Sequence, residues 1–225
     1  MRFLLARAKR IRWLPTHFIV AGAIVVTCFL AGCRTEFSGR KTFRTVVIDP
    51  GHGGHDTGAV ARGVAPEKAW TLALAYRVRD RLTRGGFHVV MTRTTDVFIP
   101  LDTRTWISDS QGNAVFISLH FNYSPNHAAE GLETYYSTAQ SASLARFLHA
   151  NMLRLPWVLD RGIKNRGFHV IRKNAFPAVL IENGFLTNDA DVRRLSATGY
   201  LDLIADRIYD GLIGYRGSAP VSEEQ

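Results

Sequence analysis

Four side chains suited to metal-assisted hydrolysis lie far apart in this chain: His52, Glu67, His120 and Glu182. Their contexts are Ile48-Asp49-Pro50-Gly51-His52-Gly53-Gly54, Pro66-Glu67-Lys68, Phe116-Ile117-Ser118-Leu119-His120-Phe121-Asn122 and Val179-Leu180-Ile181-Glu182-Asn183-Gly184-Phe185. Two imidazoles and a carboxylate make an open zinc site, and a further carboxylate can shuttle the proton in hydrolysis. Each residue also has a plainer reading. His52 could be incidental to a glycine-rich turn, in which Pro50 fixes φ and the glycines permit positive φ. A phosphate loop would need a Lys-Ser/Thr ending, which this turn lacks. Glu67 could simply complement a helix dipole, and His120 could be a satisfied core histidine. Glu182 is the least ordinary, because a carboxylate ending so apolar a run is paired, metal-bound or catalytic. Which glutamate would be ligand and which base, the residues alone leave open.

The elements that must position these groups alternate. Phe43–Asp49 reads as a buried strand. Trp70, Leu74, Val78 and Leu82 form an i, i+4 stripe that makes Glu67–Arg84 a helix, ended by Gly85-Gly86. Strands are expected at Phe87–Thr92, Ala114–Leu119, Gly131–Ser137, Phe168–Ile171 and Ala178–Ile181. Helices are expected at Pro100–Ser110, Ala139–Leu155, Asp189–Ser196 and Tyr200–Ile213, the second of these stopped by Pro156. Continuous apolar strands between helices imply an α/β fold: a single domain with a mainly parallel twisted sheet and helices on both faces. Ligands in such folds gather at the carboxyl ends of the strands, and His52, His120 and Glu182 all fall at or just past strand ends.

The amino terminus carries Arg2, Arg7, Lys9, Arg10 and Arg12 with no acid, then an apolar run from Phe18 to Leu30. That order is a secretory signal, too short for a membrane-spanning helix of about 20 apolar residues. Leu30-Ala31-Gly32-Cys33 has the form of a bacterial lipobox. The domain expectation is therefore a lipoprotein signal over 1–32, lipidated Cys33 and a short tether over 33–42, a catalytic domain over 43–215 and a polar tail over 216–225. Lipidated Cys33 would hold the chain to a membrane facing the periplasm. Arg34 stands where Asp favours the inner membrane, which points to the outer one. The chain has 28 Lys+Arg against 19 Asp+Glu. Loss of residues 1–32 removes five basic residues and no acidic ones, leaving 23 against 19. So mild a balance suits an anionic wall polymer and does not argue for nucleic acid. Cys28 leaves with the signal and Cys33 takes lipid, so no disulfide or thiolate metal ligand remains.

Taken together, the four segments resemble the zinc-dependent N-acetylmuramoyl-L-alanine amidases of the type-3 catalytic family. The resemblance covers almost all of residues 43–215. It extends to Thr92-Arg93 with Asp96, Leu101 and Arg104, to Gly131-Leu132-Glu133, to Arg161-Gly162-Ile163-Lys164, and to the segment from Pro177 to Asn188. It implies that His52, Glu67 and His120 bind zinc and that Glu182 is the general base. The substrate it implies is peptidoglycan, cut at the amide between the lactyl group of N-acetylmuramic acid and L-alanine. Two rivals stand beside it: another zinc peptidase acting on the stem peptide, and a non-catalytic wall-binding lipoprotein, against which the presence of all four residues speaks. Some relatives in cell division carry an inserted helix that blocks the zinc. Here the stretch from His120 to Glu182 leaves no such segment, so an open site is expected, and no protein activator is identified. Arg93, Arg104 and Arg161 read as loop braces, with Asp96 and Glu133 as their acidic partners. His55 is near enough to the metal loop to support it, while His88, His127, His149 and His169 read as surface or core.

Overall fold

The structure is a computed structural model and describes residues 42–218. The expected signal, the Cys33 motif and nearly all of the tether lie outside the described residues. Six strands and six helices follow in the order β1 (Thr45–Pro50), α1 (Glu67–Arg84), β2 (His88–Met91), α2 (Leu101–Asp109), β3 (Ala114–Asn122), β4 (Leu132–Tyr136), α3 (Ala139–Met152), β5 (Asp160–Asn165), α4 (His169–Arg172), β6 (Ala178–Phe185), α5 (Asp189–Ser196) and α6 (Tyr200–Gly217). They build one sheet in the order β2-β1-β3-β6-β4-β5. β2, β1, β3 and β6 are mutually parallel. β4 runs antiparallel to β6, and β5 runs parallel to β4. The mainly parallel sheet with helices on both faces is as the sequence implies. The reversed pair brings the amino ends of β4 and β5 to the same rim as the carboxyl ends of β1, β3 and β6.

Side-chain parity decides what each face holds, because successive residues of a strand point to opposite sides. Val46, Ile48, Ile117, Leu119, Val179 and Ile181 enter the larger core, with Leu74, Val78 and Leu82 of α1, Leu144 and Leu148 of α3, and Ile204, Ile208 and Leu212 of α6. Val47, Phe116, Ala178 and Leu180 enter a smaller core, closed by Val170 and Ile171 of α4 and flanked by Ile107 of α2. Continuing the alternation past the buried stretches puts Asp49, His120 and Glu182 on the face of the smaller core, at the rim. Each fully buried Leu, Ile or Val side chain contributes about 1.5–3 kcal/mol, so most of the stabilising burial lies on the other face.

Several expected bounds shift. β3 runs on to Asn122 and β6 to Phe185, because the two strands stay paired beyond His120 and Glu182, with a register irregularity between His120 and Asn122. α3 ends at Met152, three residues short of the expected end, and α6 continues to Gly217. Residues 168–171 are not a strand. Phe168 is extended, and a single helical turn begins at His169, with Arg172 N–H donating to Phe168 O at 2.9 Å. The consecutive residues Val170 and Ile171 are both buried in the smaller core, which a helical turn allows and strand alternation does not. The fifth strand is instead Asp160–Asn165, a polar edge strand with no apolar alternation to announce it.

Candidate active site

The turn after β1 holds His52 in the left-handed region at φ 62, a conformation uncommon for any residue but glycine. Two buried arginines pin it there. Arg104 Nη2 donates to His52 O at 2.7 Å and its Nη1 to Pro50 O at 2.8 Å, while Arg93 donates to Pro50 O at 3.0 Å and Gly51 O at 2.9 Å. Arg104 is itself fixed by buried Asp49 at 2.8 Å, which also accepts from Thr92 and Ser118. These arginines brace loops, as read from the sequence. Asp96 accepts from Gly54 N at 2.8 Å and pairs with Lys68 at 2.6 Å, so its basic partner is a lysine rather than an arginine.

The structure brings His52, Glu67 and His120 together, their ligand atoms all within 4.8 Å of one another. His52 Nδ1 donates to Asp56 Oδ1 at 2.9 Å, which turns Nε2 toward Glu67 Oε2 at 3.0 Å. His120 Nδ1 lies 2.9 Å from Glu67 Oε1. Backbone N–H groups of Ala59 and Phe121 donate to the same carboxylate at 2.8 and 3.0 Å. Close packing reserves the space: a Cβ on Gly51 would fall 2.3 Å from the His120 ring, and one on Gly58, at φ +63, would fall 2.5 Å from Glu67 Oε2. Asp56, four residues after His52, is the supporting residue that sequence reading missed. His55, one position away, is exposed and stacks on Phe98 with ring centroids 4.2 Å apart. Of the other histidines, His88 and His127 are exposed, His149 is buried, and half-buried His169 pairs with Asp102 at 2.5 Å.

Glu182 stands opposite His120 in the β3–β6 register. Its Oε2 is buried without a hydrogen-bond partner among the described residues. Burial raises its pKa, His120 opposes the rise, and Glu67 and Glu133 reinforce it, leaving it at about 7. Burial works against the charge of Glu67 too, but hydrogen bonds from His120 and His52 outweigh it and hold that pKa far below the usual carboxylate range. Burial likewise disfavours a charged His120, yet the Glu67 bond and nearby carboxylates push its pKa up to about 9. Two imidazoles and a carboxylate with restrained rotamers match the donor set of a catalytic zinc site, and the Asp56–His52 contact is the support such ligands ordinarily have. The residues fit that metal.

These groups open into a cleft lined by His52, Gly58, Glu67, His120, Asn122, Tyr123, Phe168 and Glu182. Through His52, His120 and Phe168, which line both, it adjoins a hollow walled by Phe98, Ile99, Leu101 and Val170. Among the described residues between His120 and Glu182 the helices are α3, in the larger core, and the single turn α4. His52 and His120 keep side-chain exposures of 22% and 16%, so the ligand cluster is reachable.

Comparison with known proteins places these residues in context. A family profile described as N-acetylmuramoyl-L-alanine amidase matches residues 46–214. The N-acetylmuramoyl-L-alanine amidase LytC of Bacillus subtilis is 36% identical over 175 residues, which is 76% of this chain and 35% of LytC. YqiI of the same organism, an uncharacterized protein, is 36% identical over 176 residues, covering 76% of this chain and 84% of YqiI. This chain thus spans about a third of one relative and most of the other. Among solved structures, the catalytic domain of CwlV from Bacillus (Paenibacillus) polymyxa aligns with a TM-score of 0.74 at 36% identity, covering 77% of this chain and 98% of that one. AmiC2 of Nostoc punctiforme aligns with a TM-score of 0.73 at 35% identity, covering 76% and 96%.

Proposed function

We propose that this chain, which belongs to the N-acetylmuramoyl-L-alanine amidase family, hydrolyses the amide between N-acetylmuramic acid and L-alanine in peptidoglycan, with zinc held by His52, Glu67 and His120 and with Glu182 as general base. The observation that carries the reading is the buried Oε2 of Glu182, without a hydrogen-bond partner among the described residues, beside the His52–Glu67–His120 cluster. When bound, zinc supplies Lewis-acid polarisation of the amide carbonyl and acidifies water. The chain does the rest. Glu182 Oε2, with no competing partner among the described residues, accepts a proton from the attacking water and delivers it to the nitrogen of L-alanine as the C–N bond breaks. The products are a lactyl carboxyl and a free alanine amine. Burial of Glu182 raises its pKa in the metal-free site, the direction that suits a group which must hold a proton between taking and returning it. Asp56 keeps His52 Nδ1 occupied, and Glu67 is held by two backbone amides, so neither ligand has to be ordered when the metal arrives.

The chain works from the cell envelope, anchored through lipid on Cys33 to a membrane facing the periplasm; the basic segment, apolar run and Leu30-Ala31-Gly32-Cys33 support this. Labelling with a tagged fatty acid in the native host tests it, and an unlabelled wild-type protein would overturn it. The activity is tested by digesting purified peptidoglycan with the full-length protein, with and without chelator, followed by mass analysis. New alanine amines and intact lactyl carboxyls that vanish with chelator are expected. Cleavage within the stem peptide would favour the peptidase reading, and binding without cleavage the wall-binding one.

A further inference from the structure

Beside Glu182, on the two strands beyond it, lies a charge cluster that the proposed chemistry does not use. Glu133 faces Glu182 in the β4–β6 register and is 3% exposed. Its Oε1 accepts from Arg161 Nε at 2.6 Å and from Lys164 Nζ at 2.8 Å. Its Oε2 accepts from Asn122 at 3.2 Å and from the Tyr135 hydroxyl. One buried carboxylate is therefore saturated while it holds two cations, each 35% exposed at its side chain. A brace would need one cation. Two outnumber the one carboxylate they share, and among the described residues no hydrogen bond engages either Nη of Arg161, whose guanidinium lies over the Phe185 ring at 5.0 Å.

The backbone is built to present both cations together. Residues 161 and 164 differ by an odd number and would point to opposite faces of a regular strand. Between Leu132↔Asp160 and Thr134↔Ile163 the register slips by one residue, and Gly162 there has φ 85. This extra residue, a β-bulge, puts both side chains on the Glu133 face; bulges near active sites commonly re-aim side chains in this way. Gly162 N–H donates to Asp160 Oδ1 at 2.7 Å, and Asp160 is in turn held by buried His149 at 2.9 Å, so the bulge has its own support.

We propose that Arg161 and Lys164, presented on Glu133, form a subsite that binds a carboxylate on the peptide side of the scissile amide. The inference rests on the amidase reading and adds the direction in which the substrate lies. Asn122 both lines the cleft and touches Glu133, so the cluster continues the site. From Glu182 across β4 to β5 is two strand spacings, about 10 Å. Two residues of extended peptide span about 7 Å, and a side-chain carboxylate on the second supplies the remainder. The hollow beside His52, with Phe98 and Leu101, offers apolar faces suited to sugar rings.

Two synthetic muropeptides test this: N-acetylmuramoyl-L-alanyl dipeptides whose second residue carries either a free carboxylate or a carboxamide. The full-length Glu182→Gln protein should bind the carboxylate form about tenfold tighter or better, as a charge-assisted contact implies. Arg161→Gln with Lys164→Gln should abolish the preference without weakening binding of the carboxamide form, and Arg161→Lys should keep part of it. In the active enzyme the preference should lie in KM rather than kcat. Equal affinity for both forms, or equal losses for both in the variants, would overturn the subsite. Wild-type digestion of peptidoglycan separates the two levels: an active enzyme without preference sinks only the subsite, whereas a chain that neither binds nor cleaves either muropeptide sinks the amidase reading and the subsite with it.

Discussion

The two faces of the sheet divide the labour unequally. On one, α1, α3 and α6 cover the strands with a continuous apolar layer. On the other, α2 and the single turn α4 close a small core, and past its edge the same strands carry Asp49, His120, Glu182 and Glu133. Parity alone separates Ile181 from Glu182 and Leu119 from His120. A strand can thus anchor itself through one residue and present chemistry through the next. The thin face is thin where a substrate must enter, and the thick face compensates in stability.

The sharpest way to break this division is at Glu182. Glu182→Gln should lower turnover about 10²–10⁴-fold, the usual weight of a positioned acid–base group, while metal content and thermal midpoint stay near wild type. Near-normal turnover would remove Glu182 from the role of base. On the thick face, Leu148→Ala should behave in the opposite sense. It should cost about 2–5 kcal/mol in denaturant unfolding and leave kcat of the folded enzyme unchanged; a large kcat loss there would show the faces to be coupled. Asp56→Ala tests the support of the ligands. It should weaken zinc binding about 10–100-fold, read by competition with a chromogenic chelator, with little change in unfolding of the metal-free protein.

The smallest expected effect is a pH dependence. In the metal-free protein the pKa of His120 is raised from 6.5 to about 9. A raised pKa means the folded state binds the extra proton, so this contribution to stability is complete below 6.5 and is lost as pH rises toward 9. Glu67, with its lowered pKa, contributes stability that is lost as pH falls below 4.5. Urea midpoints under chelator should therefore sag on both sides, and a His120→Asn variant should lack the upper limb. Zinc should flatten that limb in the wild type, because a ligand must shed its proton to bind.

Much of this was legible in the chain. The apolar runs ending at Asp49, Leu119 and Ile181 reveal parallel strands, and strand ends are where such folds keep their sites. Glu67 was legible only through family resemblance, since a glutamate opening a helix is ordinary. Asp56 carried no signal beyond its spacing from His52. β5 was missed because its partner is a single strand, and Asp160–Asn165 is set by pairing with β4 rather than by its own hydrophobicity. The run Phe168–Ile171 misled because four apolar-rich residues fit a strand and a helical turn equally well. The paired role of Arg161 and Lys164 depends on a bulge, and a register slip is invisible to any reading that counts residues in twos.

The reversed direction of β4 and β5 matters for redesign. A uniformly parallel sheet would have sent the connections before these two strands to the far end of the molecule. Here the segments 123–131 and 153–159 instead arrive at the working end, the first linking β3 to β4 and the second leading from α3 into the edge strand β5. Their length and composition form a module for altering substrate preference that can be exchanged while β1, β3 and β6 are left untouched.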